Sequence, residues 1–178
     1  MPPFVADKNY FELFGLPVTF DVNLTGLTER YRSVARETHP DRFVSGSDQE
    51  RRLAMQMTAF VNEAFQTLKD PIARARYLLQ LRGADPGSDT DTAMDPAFLS
   101  EQIELRERLD EACDAADAKA RLGHLADDVA QRTQETTDAL RIQFMRADQL
   151  DKARGLVREL QFLDKLRRQI GDLEERFG

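Results

Sequence analysis

The chain has 178 residues, 41% hydrophobic and 32% charged, a balance that suits packed globular structure and excludes wholesale disorder. A net charge of -7 excludes a general nucleic-acid binder, which needs a broad excess of Lys and Arg to displace counterions. The single cysteine, Cys113, excludes an internal disulfide or a thiolate pair for a metal, and no run nears the ~20 apolar residues that span a bilayer.

The opening "MPPFVADKNYF" lacks the basic-then-apolar layout of a secretion signal, so a cytoplasmic location is expected. Helical periodicity recurs along nearly the whole text while β-branched alternating runs are missing, which predicts an all-α fold. A short helix covers "NYFELFGL", with Asp7 as a candidate cap and Gly15 and Pro17 ending it. A second begins near Leu24 on a stripe of Leu24, Leu27, Tyr31 and Val34 and stops at His39-Pro40, because a proline ring disfavours the helical region for the residue before it.

The third helix opens at Ser47 with Glu50 three residues on, the spacing of a reciprocal cap, and shows Leu53, Met57, Phe60, Ala64 and Leu68 on one face with Val61 and Phe65 beside it. Asp70-Pro71 ends it and starts a fourth helix carrying "IARARYLLQL". From Gly83 the text turns to "GADPGSDTDTAMD", whose Gly, Pro, Ser, Thr and Asp mark a linker over residues 83–95. The expected domains are therefore 1–82 and 96–178. Asp95-Pro96 repeats the capping pattern, and helices over roughly 96–116, 118–146 and 149–177 are expected to form a three-helix bundle.

The stretch "RETHPDRF" gathers an imidazole, a rigid ring and a carboxylate at a helix end. A hydrolase reading, with His39 as base and Asp41 orienting it, lacks a neighbouring nucleophile or pocket, and it predicts turnover without a partner. A zinc reading lacks ligands, since the other histidine, His124, lies in the second domain. The plainest reading is a helix stop in which Asp41 folds back on loop amides. Against it, Arg32 and Arg36 at i, i+4 spacing, with Arg30 and Arg42 nearby, place positive charge beside an exposed polar corner of an acidic protein.

These residues resemble a known family. "NYFELFGLP", "ERYRSVARETHPDRF" and "VNEAFQTLKDPIARARYLL" are similar, in order, to the short helix, hairpin with "HPD" at its tip and closing helix of a J-domain over residues 8–82. With "HPDRFVSGS", "RARYLL", "AFLSEQIELRERLDEA" and "LQFLDKLRRQIGDLEE", the chain resembles the HscB family, J-type co-chaperones of iron-sulfur cluster assembly. The Gly/Phe-rich segment and zinc repeats of an ordinary J-protein are missing.

The resemblance implies that His39, Pro40 and Asp41 trigger ATP hydrolysis in a DnaK-type chaperone, HscA, and that Arg32 and Arg36, with Arg42 beside them, belong to the basic docking face. It implies a client, the scaffold protein IscU, held through Leu99, Ile103 and Phe162 with Glu104, Arg106, Glu107 and Glu111 as polar neighbours. It implies no catalytic residue, metal ligand or cofactor in this chain, and neither nucleic acid nor membrane among its partners. Two departures are Ser100, where relatives can carry a larger apolar residue, and Phe65, where a tryptophan can stand.

Helical geometry bears on the client residues independently. At ~100° per residue, Phe98, Leu105, Leu109, Ala112 and Ala116 share a core stripe, and Leu99 and Ile103 lie off it among polar neighbours. In the last helix Leu156, Leu160, Leu163, Ile170 and Leu173 form the core stripe, with Phe162 a quarter turn away. Such residues either widen the core or make an apolar contact patch. Cys113 is expected in the bundle core and His124 on the surface. The rival functions are a J-protein with a different client, the partner-free hydrolase, and a coiled-coil scaffold, which needs sustained heptads.

Overall fold

Local capping accounts for four of the helix starts. A computed structural model describes residues 8–39, 41, 46–84, 96–146 and 150–177, and these contain seven helices. The chain divides into two compact units, Met1–Arg82 and Gly83–Gly178. Asp7, Asp95 and the linker from residue 85 onward lie outside the described residues.

In the first unit, α1 (Tyr10–Leu13) is shorter than expected, and Asn9 caps it: its side chain accepts from the Glu12 amide at 3.0 Å while Glu12 accepts from the Asn9 amide at 3.0 Å. Gly15 follows at φ 58, the left-handed region where a Cβ is costly, and its carbonyl accepts from Arg30 Nη1 at 3.0 Å. Helix α2 (Leu24–Thr38) starts at Asn23, whose side chain accepts from the Gly26 amide at 3.0 Å. Helix α3 (Asp48–Lys69) opens with the Ser47–Glu50 capping box. Asp70 caps α4 (Pro71–Leu81), accepting from the Ala73 amide at 2.7 Å.

Helices α1, α2 and α4 each pack on α3. The buried face of α3 is Ala54, Val61, Ala64, Phe65 and Leu68, with Leu53, Met57 and Phe60 only half-buried. The core direction is thus rotated from the expected one. Leu24, expected on the α2 core stripe, is exposed, whereas Leu27 is fully buried. Phe65 stacks on Tyr31 with ring centroids 4.1 Å apart, so the phenylalanine serves as a large core aromatic. Arg74 is buried, donates Nη1 to the Leu68 carbonyl at 2.5 Å and lies over the Phe20 ring. Burial pulls its pKa below the ordinary value, opposed by Asp70 and Asp21.

Tyr10 ties α1 to both neighbours. Its ring stacks on Tyr77 at 4.2 Å, its amide donates to the Tyr77 hydroxyl at 2.9 Å, and its own hydroxyl donates to Glu63 at 3.0 Å. Burial, then the Glu63 hydrogen bond, push its pKa up to about 12 from 10.0. Burial also raises that of Tyr77. A raised pKa means that the folded chain holds the proton more tightly, so this stability is complete below pH 10 and is lost as pH rises from 10 to 12. Tyr10→Phe is expected to flatten that part of the alkaline fall in the urea midpoint, followed by circular dichroism; an unaltered slope would reject the assignment.

The second unit contains α5 (Pro96–Asp114), α6 (Ala118–Met145) and α7 (Leu150–Phe177), packed pairwise into a bundle. Its core includes Leu105, Leu109, Ala112, Leu122, Leu125, Val129, Leu163, Leu166 and Ile170, with Cys113 and Leu173 half-buried against it. Ala116, expected in the core, is exposed in the turn after α5, and Phe98 is half-buried. Val157 is fully buried on α7 while Leu156 is not.

Candidate functional site

The corner at the end of α2 follows from local sterics. His39 caps the helix with extended backbone, φ -60 and ψ 131, as a residue before proline should. Its Nδ1 accepts from the Asp41 amide at 3.3 Å and lies 3.5 Å from Asp41 Oδ2. In the neutral ring a bond accepted at Nδ1 leaves the proton on Nε2 as a donor. The two side chains are 57% and 84% exposed. Water competes for both groups, so the pair offers contact chemistry on an open surface. Pro40 and Arg42 lie outside the described residues.

Thr58 Oγ1 is 3.0 Å from the Thr38 carbonyl and 2.9 Å from that of Ala54, so its one proton can tie the end of α2 to α3. Arg32 and Arg36 are exposed, and Arg36 Nε donates to the Arg32 carbonyl at 3.2 Å. On the helical wheel Arg32, Arg36 and His39 fall within about 60° of one another, so one face of α2 carries them all. Arg30 belongs elsewhere: its Nη1 donates to the Phe14 carbonyl at 2.8 Å as well as to that of Gly15. Expected as part of the positive field, it secures the carbonyls after α1.

In the bundle, Leu99 and Ile103 are 42% and 59% exposed on α5, flanked by exposed Glu104, Arg106, Glu107 and, one turn on, Glu111. Of the two readings open for Phe162, widening the core or joining a contact patch, its packing favours the first. It is half-buried against the bundle core, meets Phe98 edge-on at 5.8 Å and carries the Arg106 guanidinium 5.8 Å over its ring. Arg106 is also one helical turn from Ile103 and two from Leu99, so it borders both the exposed pair and the half-buried ring.

Sequence reasoning missed a polar cluster joining the three helices. Arg132 on α6 donates Nη2 to Glu101 of α5 at 3.1 Å, and its Nε sits 3.1 Å from Glu101 and 3.0 Å from Glu159 of α7 without aligning squarely on either. Thr136 Oγ1 donates to Glu159 at 2.7 Å. The only sequence signal was Glu101 and Glu159 on the flanks of otherwise apolar seams. His124 is exposed, and among the described residues no group of three or more His, Cys, Asp or Glu is placed to hold a metal. No helix among them is long and apolar enough to cross a membrane.

Residues 94–171 match the profile of the HSCB C-terminal oligomerisation domain. A co-chaperone protein HscB homolog of Shewanella amazonensis is 42% identical over 169 residues, covering 94% of this chain and 97% of the relative. Among solved structures, the chaperone HscB from Vibrio cholerae is similar at 36% identity with TM-score 0.85, over 96% of this chain and 100% of that one. The crystal structure of human co-chaperone protein HscB is similar at 29% identity with TM-score 0.87, over 93% of this chain and 82% of that one.

Proposed function

This chain belongs to the HscB co-chaperone family, and from that premise we propose that it stimulates ATP hydrolysis by a DnaK-type chaperone, HscA, and delivers the scaffold IscU to it during iron-sulfur cluster assembly. One observation carries the reading: the relative aligns over both units, one with the exposed His39–Asp41 corner and one with the exposed Leu99–Ile103 pair. A two-part build suits a protein that engages an ATPase with one unit and a client with the other. The proposed site of action is the cytoplasm.

The work of each part follows from its chemistry. The partner breaks the phosphoanhydride bond, and this chain shifts the partner between states only by as much as it binds one better than the other. His39 and Asp41, with Pro40 between them, supply that differential contact. Arg32 and Arg36, with Arg42 as the third cation, steer the corner to an acidic surface, an attraction that salt screens. Leu99 and Ile103, together with Phe162, hold the client, and Glu104, Arg106, Glu107 and Glu111 form the polar rim.

Steady-state phosphate release tests the reading. The full chain is expected to raise HscA turnover severalfold, to raise it further when IscU is present, and to release no phosphate alone. Unchanged HscA turnover, or hydrolysis by the chain alone, would overturn it.

A further inference from the structure

Helix α5 is unevenly held. Its first buried residue is Leu105, so the nine residues before it, which include Leu99 and Ile103, lack the buried side chains that fix the rest of the helix. Two contacts there reach the neighbouring helices: Phe98 meets Phe162 of α7, and Glu101 meets Arg132 of α6. At ~100° per residue Glu101 lies about 160° from both Leu99 and Ile103, so a contact at Glu101 fixes the direction in which that pair faces.

Arg132 is itself anchored. Glu159, only 12% exposed, accepts from Thr136 and lies 3.0 Å from Arg132 Nε, while Arg132 remains 41% exposed. An isolated surface ion pair contributes little to stability, but a guanidinium shared between two carboxylates from different helices adds directional restraint to the attraction. We propose that Arg132, bridging Glu101 and Glu159, is a positioning residue that holds the first turns of α5 so that Leu99 and Ile103 are presented to the client.

The client half of this proposal rests on the scaffold-binding reading above; the α5 half does not. Hydrogen exchange on the full chain separates them. Arg132→Gln is expected to speed exchange of the amides of residues 100–104 about tenfold and leave those near Val129 and Leu163 unchanged, which corresponds to about 1.4 kcal/mol of local opening. Glu101→Gln is expected to do the same, and Arg132→Lys to restore part of the protection.

Affinity for the IscU scaffold is expected to fall about fivefold to tenfold in Arg132→Gln, with much less further loss when Leu99→Ala is already present. A merely structural role would give additive losses. Unchanged exchange at 100–104, a uniform rise throughout the bundle, or additive affinity losses would overturn the proposal. If Leu99→Ala leaves scaffold affinity intact while Arg132→Gln still frees α5, the positioning of the helix stands and the scaffold reading falls.

Discussion

His39→Gln should reduce the stimulation of HscA turnover by about tenfold or more while leaving the far-ultraviolet circular dichroism and urea midpoint unchanged. The imidazole is mostly exposed and, among the described residues, its hydrogen bond is with the Asp41 amide, so its loss should cost this fold less than about 0.5 kcal/mol. What it removes is a ring held at a fixed helix end by an extended backbone and by a bond at Nδ1. Glutamine restores polar atoms but on a flexible stem. A tenfold loss corresponds to about 1.4 kcal/mol of differential stabilisation in the partner. Stimulation equal to that of the parent protein would remove the corner from the mechanism.

Leu99→Ala combined with Ile103→Ala should weaken binding of IscU about 100-fold, measured by isothermal titration, with the urea midpoint nearly unchanged. Both side chains are about half exposed in the free chain, so burying the remainder in a complex contributes about 1–1.5 kcal/mol each, or about 2–3 kcal/mol together. Phe162 is a poorer site for this experiment. Its ring packs against the bundle core and Phe98, so Phe162→Ala would lower stability and affinity together. Full affinity in the double variant would discard the patch.

Much of the molecule could be read along the chain. The Ser47–Glu50 box, the Asp70 cap, the stop at His39 and the helices themselves depend on groups within about four residues of one another, and local geometry there is nearly independent of what packs on it. The shared face of Arg32, Arg36 and His39 follows from helical repeat alone. The family resemblance rests on the same local motifs in order.

Other features depended on partners far away in the chain. The rotated core face of α3 depends on where α1, α2 and α4 come to rest, whereas the shift of the first cap from Asp7 to Asn9 is local, an Asn9–Glu12 box three residues apart. Arg30 reaches a carbonyl 16 residues away, and Arg132 meets Glu101 across 31. Whether Phe162 stands on the surface or leans on Phe98 is decided by the approach of α5 to α7, because a helix wheel gives the directions of side chains but not the direction from which a neighbour arrives. Sequence alone therefore determined the helices, most of their starts and the stop at His39; tertiary packing decided which flanking residues are covered, since burial and ion pairing between helices depend on distances that no local repeat contains.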